Sequence, residues 1–444
     1  MSSNSTVRVF LGAYVHSLSK DQPLVIVQDG AIGVENGKII FVDTAENLES
    51  LKEQFSFGDD SIQIIGRGEF LMPGLIDTHI HAPQYLNAGL GLDLGLLDWL
   101  STYTFPAEAK FQDVNFARPF YDKVVQRTLR SGTTTASYYA SIHRESAEVL
   151  AEIAHNYGQR AFVGKVSMDC YSPDYYIEDS AEEALESAEK FVTNVLNKKY
   201  PLVQPVITPR FALTCSEQLL RGLAALAAKY DVHIQTHLGE SKAEIARALE
   251  LYPQGGSYTG IYEKFGILGK KTIMAHCVHL DSGEEDLLKQ TGTSVAHCPT
   301  SNMFLNSGFS PIQNYLDKDI AVGLGTDVSG GYSPSILDTM RHAILNAKTI
   351  QMTQNESYQS LTYKEALYLA TLGGAEALAI ENVTGNFHVG KSFDALHIDL
   401  ASDSSAVHVF SNEGLVEIIQ KFIMLGDDRN IAQVFVAGRI VKNN

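Results

Sequence analysis

The chain has 444 residues, of which 45% are hydrophobic and 19% are charged. This profile predicts a globular protein with one large domain and a smaller one. Its 52 acidic residues outnumber 34 basic ones, for a formal net charge of −18, which argues against nucleic acid or an anionic membrane as the main partner, since both attract basic surfaces.

The cysteine pattern and the N-terminus indicate the cellular setting. The four cysteines are scattered and form no Cys-x-x-Cys pair, so neither a disulfide framework nor a cysteine zinc site is expected. The N-terminus lacks the basic-then-apolar pattern of a signal peptide. No stretch of about 18 consecutive apolar residues suggests a membrane span. We therefore expect a soluble cytoplasmic protein.

Short strand patterns occupy the beginning of the chain. Glu35-Asn36-Gly37 is a typical hairpin turn between two of them, because Asn-Gly adopts the tight turn that a hairpin needs. The pattern predicts a small all-β unit here. Its predicted strands cover residues 7–14, 24–27, 38–42 and 61–65.

From residue 70 onward, β-rich runs alternate with helical stretches. Eight strands alternating with helices predict a closed (β/α)8 barrel of the TIM type. An open doubly wound sheet is the alternative, but no Gly-x-Gly-x-x-Gly follows the first strand to favour it. The predicted strands are 70–81, 133–141, 160–168, 203–211, 232–238, 272–278, 294–298 and 320–326. The predicted helices include 116–130, 146–157, 180–196, 217–229, 283–290 and 363–379.

The short-strand pattern returns after about residue 384, with predicted strands at 386–389, 394–398, 432–436 and 439–441. The expected α/β fold is thus a barrel over residues 70–383. Segments 1–69 and 384–444 together form a small composite β-sandwich domain. The linker of roughly residues 82–115, between the first two barrel strands, holds the only tryptophan, Trp99. Long loops after barrel strands usually serve the site, so we expect a lid or pocket wall there.

Residues capable of chemistry fall where the predicted strands end, which is where a barrel of this kind carries its active site. His79 and His81 end the first strand, and alternate positions on a strand face the same side, so both imidazoles reach into one space. Further candidates follow other strands: Arg210 and Phe211 the fourth, His237 the fifth with Glu240 three residues on, His276 the sixth and Asp327 the eighth.

This set indicates a metal centre, although each residue alone has an ordinary explanation. His237 could be a core histidine, Asp327 a helix cap, and Glu240 a solvent-exposed glutamate. Together they favour a hydrolytic site with zinc, while iron or another divalent metal stays an alternative. A bound divalent cation lowers the pKa of its water from 15.7 to roughly 7, and Glu240 is placed to move protons.

Longer motifs resemble the metal-dependent amidohydrolase superfamily, on its deaminase and chlorohydrolase branch. The shared patterns are Gly-Leu-Ile-Asp-Thr-His-Ile-His (74–81), His237 with Glu240, Ala-His-Cys (275–277), His-Cys-Pro-Thr-Ser-Asn (297–302) and Gly-Thr-Asp (325–327). Members of that branch that act on guanine are similar over still longer motifs. These are 78–85, 99–108, 208–211, 325–333 and 425–430. The resemblance covers nearly the whole chain, including both β-rich ends.

The resemblance implies a role for each candidate. One zinc ion per chain would be held by His79, His81, His237 and Asp327. His276 would orient the water, with a ligand role as the alternative. Purine contacts would come from Gln84, Trp99, Arg210 and Phe211, together with His81, His237, Glu240 and Asp327. His297, Cys298 and Asn302 are interpreted as loop-shaping, and His233 and His279 as structural.

The reaction implied by the resemblance is the hydrolytic deamination of guanine to xanthine and ammonia, a step of purine breakdown or salvage. Water would attack ring carbon 2, and Glu240 would pass the water proton to the adjacent ring nitrogen. His276 would stabilise the tetrahedral centre, and Asp327 would help protonate the leaving amine. The family also implies a homodimer. The alternatives are a sister enzyme acting on a nucleoside, another aminohydrolase substrate or a chlorinated triazine, and a non-catalytic scaffold relative.

Overall fold

Two β-sheets organise residues 7–443, the part of the chain that the computed structural model describes. The strands are β1 (Arg8–His16), β2 (Val25–Glu35), β3 (Lys38–Thr44), β4 (Ile62–Ile64), β5 (Glu69–Pro73), β6 (Leu75–His81), β7 (Thr133–Tyr139), β8 (Arg160–Gly164), β9 (Val166–Ser167), β10 (Val203–Pro209), β11 (His233–Leu238), β12 (Thr272–His276), β13 (Ser294–His297), β14 (Val322–Leu324), β15 (Ala395–Asp399), β16 (Ile431–Val436) and β17 (Arg439–Asn443).

Helices connect most of these strands. They are α1 (Leu48–Phe55), α2 (Leu96–Trp99), α3 (Phe105–Ala109), α4 (Val114–Arg130), α5 (Arg144–Tyr157), α6 (Ala181–Asn197), α7 (Glu217–Tyr230), α8 (Lys242–Leu251), α9 (Tyr258–Lys264), α10 (Ser282–Thr291), α11 (Pro299–Phe304), α12 (Ile312–Asp317), α13 (Ile336–Thr353), α14 (Tyr363–Ala370), α15 (Leu372–Ala377) and α16 (Leu415–Leu425). None of these helices, all within residues 7–443, is long and apolar enough to cross a membrane.

The first sheet draws its strands from both ends of the chain. Its order is β17-β16-β15-β5-β1-β2-β3, with β4 beside β1. Asn36 and Gly37 both have positive φ between β2 and β3, as a type I′ hairpin turn requires. The predicted hairpin and the composite of both termini are confirmed. The prediction that the N-terminal unit, residues 7–65, is all-β is wrong, because α1 follows β3.

One predicted strand of this sheet, 386–389, does not form. The amide of Asn386 donates to the Ser17 carbonyl over 3.0 Å, and the Phe387 backbone N–H donates to the His16 ring over 3.2 Å. These side-chain hydrogen bonds fix the segment, and the backbone hydrogen bonds of a strand do not form there.

The second sheet is a barrel of parallel strands, in the order β14-β13-β12-β11-β10-β8-β7-β6. Hydrogen bonds between β6 and the end of β14 bring its two edges together. The Thr78 hydroxyl donates to the Leu324 carbonyl over 2.9 Å, and the Asp327 N–H donates to the His79 carbonyl over 2.9 Å. Every residue of β6 is buried, as expected for a strand covered on both faces. The predicted (β/α)8 barrel is confirmed.

The predicted first barrel strand, 70–81, is two strands. The chain breaks at Gly74, and β5 joins the terminal sheet through pairs such as Met72 with Leu396, while β6 enters the barrel. A side chain at position 74 would collide with Thr134, so the crossing from one sheet to the other needs glycine. The domain boundaries at 69/70 and 383/384 stay a prediction.

Predicted and observed helices agree closely around the barrel. Helix α6 begins where the Ser180 hydroxyl accepts from the Glu183 N–H, and α7 where Ser216 accepts from Leu219 in the same way. The predicted helix 363–379 is two helices, α14 and α15, separated at Thr371.

The linker between β6 and β7 is mostly helical. It contains α2, a wider π turn over Leu100–Thr104, and α3. Trp99 and Phe105 are buried, so the segment packs against the barrel. The segment expected to form a lid or pocket wall is therefore a series of short helices packed on the barrel.

An ion pair ties the barrel to the terminal sheet. The guanidinium of Arg160, on β8, donates to both carboxylate oxygens of Asp394 over 2.9 and 3.2 Å. The Ala437 backbone N–H also donates to Asp394, over 2.7 Å. The Asp394 side chain is fully buried. Because a buried charge must be paired, this bridge fixes how the two sheets meet.

Replacing Asp394 should therefore destabilise the protein strongly. In Asp394→Ala, the Arg160 guanidinium keeps its buried position but loses its counter-ion, so we expect the free energy of unfolding to fall by about 3–5 kcal/mol. Urea unfolding measures this loss. The control is Glu152→Ala, which breaks the exposed Arg118–Glu152 pair and should cost about 0–1 kcal/mol. Equal losses in the two variants would contradict the role given to Asp394.

Candidate active site

Five side chains converge at the C-terminal ends of the barrel strands. His79 and His81 end β6, His237 lies near the end of β11, His276 ends β12, and Asp327 follows β14. His276 and Asp327 both adopt left-handed φ angles, of 74° and 47°. Such angles are costly for residues other than glycine and cluster at functional sites, so the backbone is bent here to aim these side chains.

The four side chains predicted to hold the metal lie in contact. The Oδ1 atom of Asp327 is 3.1 Å from His79 Nε2 and 3.4 Å from His81 Nε2. His81 Nε2 is 3.2 Å from His237 Nε2. His276 Nε2 is further out, 3.8 Å from Asp327 Oδ2. Donor atoms of His79, His81 and Asp327, and of His79, His237 and His276, lie within 4.8 Å of one another.

These donor atoms fit a divalent cation. Burial lowers the pKa values of His79, His81 and His237, so the imidazoles are neutral and keep a free lone pair. The His237 Nδ1 atom lies 2.6 Å from the Arg210 carbonyl. A carbonyl can only accept, so Nδ1 carries the proton and Nε2 faces the cluster as a ligand. His79 Nε2 is buried without a hydrogen-bond partner.

Asp327 is the anionic member of the cluster. Burial by itself would raise its pKa, but the neighbouring imidazoles of His79, His276 and His81 outweigh that effect and hold the pKa well below its usual range. An oxygen ligand next to imidazole nitrogens suits zinc, and also iron and other divalent metals. The residues therefore support a metal cofactor.

A second carboxylate, Asp77, lies behind the cluster and was not among the predicted site residues. It accepts from the Thr326 hydroxyl over 2.6 Å, from the Thr326 N–H over 3.0 Å and from the His79 N–H over 3.2 Å. Burial raises the pKa of Asp77 to about 7. It joins the strand end that carries His79 to the strand end that carries Asp327. The sequence feature that could have identified Asp77 is an acidic residue within the apolar run before His79.

Glu240 lies beside the cluster and not in solvent. Its carboxylate is 3.5 Å from His276 Nε2 and 3.5 Å from the Ser307 hydroxyl. Burial raises its pKa well above the usual value, with the nearby Glu244 carboxylate adding to the shift. Glu244 also accepts from the Glu240 N–H over 2.8 Å, and so fixes the backbone of that residue. A buried carboxyl with a raised pKa can hold and release a proton.

Asn302, interpreted from the sequence as loop-shaping, also contacts His276 in the site. Its Oδ1 atom lies 2.8 Å from His276 Nδ1, so it positions the imidazole beside Glu240. His233 and His279 instead bond to the backbone carbonyls of Leu378 and Ser307, as structural histidines do. His297 is fully buried.

A pocket opens next to the cluster. It contains every side chain for which a purine contact was predicted. Its lining is His81, Gln84, Leu96, Trp99, Leu100, Arg210, Phe211, His237, Glu240, His276, Leu305 and Asp327. The indole N–H of Trp99 donates to the Leu90 carbonyl over 3.1 Å, which fixes that wall. The individual roles stay predictions.

Glu108 is the second residue that the sequence analysis did not single out. Its carboxylate is fully buried and accepts from Arg210, Gln84 and the Tyr176 hydroxyl. It lies inside the motif 99–108, but a helix of only five residues is too short for an apolar periodicity that would predict burial of its glutamate.

Comparison with known proteins agrees with this geometry. The amidohydrolase family model matches residues 70–441. The chain belongs to the amidohydrolase family. Human guanine deaminase is 44% identical over 440 residues, covering 98% of this chain and 96% of the relative.

Solved structures give the same result. Guanine deaminase from C. acetobutylicum, with guanine bound in its active site, has a TM-score of 0.90 and 35% identity, covering 98% of this chain and 100% of the other. An adenosine deaminase from Xanthomonas campestris with bound zinc has a TM-score of 0.82 and 25% identity, covering 97% and 92%.

The cluster predicts a tightly bound divalent metal. Purified protein should contain about one equivalent per chain, and His81→Ala or Asp327→Ala should lose most of it, because each removes one of four convergent ligands. Elemental analysis after dialysis measures the metal. The control is His388→Gln, which changes an exposed histidine. Full activity of metal-free protein, or unchanged metal in both ligand variants, would contradict the assignment.

Proposed function

We propose that this chain catalyses the hydrolytic deamination of guanine to xanthine and ammonia. The observation that carries the proposal is one pocket in which a metal-ligand cluster and Glu240 lie beside Arg210 and Gln84. The first group supplies hydrolytic chemistry, and the second supplies polar recognition of a flat base. Full-length guanine deaminases at 44% identity support the same substrate.

The metal we propose is zinc, one ion per chain, held by His79, His81, His237 and Asp327. When bound, such a cation polarises substrate and lowers the pKa of a water molecule to roughly 7. The relative from Xanthomonas with bound zinc supports this choice of metal. His276 is 3.5 Å from the Glu240 carboxylate, and we assign it to orientation of the attacking water.

Glu240 moves the protons in the proposed reaction. Its carboxylate takes a proton from the water that adds to carbon 2 of guanine, and delivers it to the adjacent ring nitrogen. His276 stabilises the tetrahedral centre. Asp327 and Glu240 then assist proton transfer to the amine, which leaves as ammonia. The raised pKa of Glu240, caused first by burial, suits a group that both accepts and returns a proton.

Recognition of the base is assigned to the opposite wall. The Arg210 guanidinium has five N–H donors, and two of them are bound to Glu108. The others suit a ring carbonyl, as guanine presents. Trp99 and Phe211 supply aromatic surface for the flat ring. We propose a homodimer on the family resemblance alone, and a cytoplasmic location on the sequence features given above.

Turnover should depend on Glu240 as a proton carrier. Glu240→Gln keeps the size of the side chain but cannot shuttle a proton, so we expect kcat to fall by about 10² to 10⁴ with the metal retained. A coupled assay for xanthine formation measures kcat, and elemental analysis measures the metal. The same substitution at the exposed Glu250 should leave kcat unchanged. If Glu240→Gln turns over at the wild-type rate, another group carries the proton.

Selectivity should follow the polarity of the pocket. Adenine presents an amine where guanine presents a carbonyl, so it meets the Arg210 N–H groups donor to donor. Sites built to pair with a missing group reject the analogue by about 10⁴ to 10⁵. The measurement is kcat/KM for guanine, adenine, guanosine and cytosine at one pH. Adenine within about tenfold of guanine would instead favour a sister enzyme of the same family.

A further inference from the structure

We propose that Glu108 is a positioning residue that sets the polarity of the purine pocket. Its buried carboxylate fixes the Arg210 guanidinium and the Gln84 amide, and it cancels the charge that Arg210 would otherwise present to the ligand. This inference rests on the proposed function, because it concerns recognition of a neutral base at the same site. Glu108 itself is behind the pocket wall, and acts through the two residues that form it.

The contact between Glu108 and Arg210 is bidentate. Arg210 Nη1 donates to Oε2 over 2.6 Å, and Nη2 donates to Oε1 over 3.2 Å. The exposed fraction of the side chain is 0% for Glu108 and 3% for Arg210. Paired forks of this kind fix both position and plane of the guanidinium. The Phe105 ring lies under it, with its centroid 5.0 Å from the Arg210 Cζ atom.

Glu108 also decides which way the Gln84 amide faces. Gln84 Nε2 donates to Glu108 Oε1 over 2.8 Å, while Gln84 Oε1 accepts from the Ser329 N–H over 3.1 Å. A carboxylate only accepts and a backbone N–H only donates, so the reversed amide would lose both bonds. One N–H and one lone pair of Gln84 are left to offer to a ligand.

The charge balance follows from the same contacts. A buried guanidinium without a counter-ion would attract an anion into the pocket. With Glu108 in place, the pair is neutral, and Arg210 acts as a directed hydrogen-bond donor. The pocket then favours a neutral base that accepts through a carbonyl, and gives no advantage to the anion of a more acidic base such as xanthine, the product.

The chain supplies Glu108 from the same helical segment that forms the pocket wall. Trp99 lies at the end of α2, and Phe105 and Glu108 lie on α3. The Tyr176 hydroxyl donates to Glu108 Oε2 over 2.7 Å. Glu108 thus binds Gln84, Tyr176 and Arg210, which come from three separate parts of the chain. A single carboxylate therefore positions both polar side chains, Gln84 and Arg210, that line this wall of the pocket.

The test compares Glu108→Gln with Glu108→Asp in the metal-loaded enzyme. Glu108→Gln removes the charge, so kcat/KM for guanine should fall about 100-fold, mainly through KM, with metal content unchanged. Inhibition by xanthine should strengthen relative to guanine binding, and more so on the alkaline side of xanthine's own ionisation. Glu108→Asp keeps the charge but shortens the reach, so activity should fall about tenfold while the xanthine-to-guanine ratio stays at the wild-type value. The control is Glu186→Gln, in an exposed ion pair.

A stability cycle covers the case in which Glu108→Gln does not fold. Arg210→Met leaves Glu108 buried without its counter-ion, so the double variant Glu108→Gln/Arg210→Met should melt at a higher temperature than Arg210→Met alone. A lower or equal melting temperature in the double variant contradicts the charge balance. Wild-type activity in Glu108→Asp contradicts the positioning role.

Three further outcomes are distinct. Wild-type kcat/KM in Glu108→Gln overturns the inference. So does a loss confined to kcat with an unchanged ratio of xanthine inhibition to guanine binding, because that result would show that Glu108 has only a structural role. Absence of guanine turnover in the wild-type enzyme overturns the proposed function instead. In that case, the melting cycle still decides whether Glu108 neutralises Arg210.

Discussion

The closing seam of the barrel is the constraint on which the site depends. The end of β14 meets β6 through backbone hydrogen bonds, one of which joins the Asp327 N–H to the His79 carbonyl over 2.9 Å. That bond places a carboxylate from one end of the barrel sequence beside an imidazole from the other. Asp77 reinforces the seam by accepting from both sides of it. Without closure, the ligand set would be split between two sheet edges.

A buried polar layer behind the contact residues gives the site its fixed geometry. The Arg210 carbonyl holds the His237 ring, Asn302 holds the His276 ring, and Glu108 holds the Arg210 guanidinium. Each of these partners is buried, so the hydrogen bonds act in a low dielectric and are not replaced by water. Arg210 belongs to both halves of the site, since its backbone orients a metal ligand while its side chain faces the purine pocket.

The barrel and the metal-ligand cluster could be predicted from the sequence, because one produces a repeated pattern and the other lies at strand ends. Periodic apolar runs indicated the barrel, and histidines at strand ends indicated the cluster, because parallel strands must bring those ends together. The sequence did not predict the break at Gly74, since apolar residues flank the glycine on both sides and only the turn between the sheets separates β5 from β6. Nor did it predict Glu108, because burial of a glutamate depends on partners more than sixty residues away, such as Tyr176 and Arg210.

The helical linker between β6 and β7 has a wider consequence. The metal ligands come from strand ends, which the barrel fixes, whereas Trp99 and Glu108 come from one continuous insert that packs on top of it. One wall of the ligand pocket is therefore separate in sequence from the metal ligands, while Arg210 and Phe211 follow a barrel strand. Changes in the insert alone would alter the wall formed by Trp99 and the support that Glu108 gives to Arg210, and would leave the metal-binding strand ends unchanged.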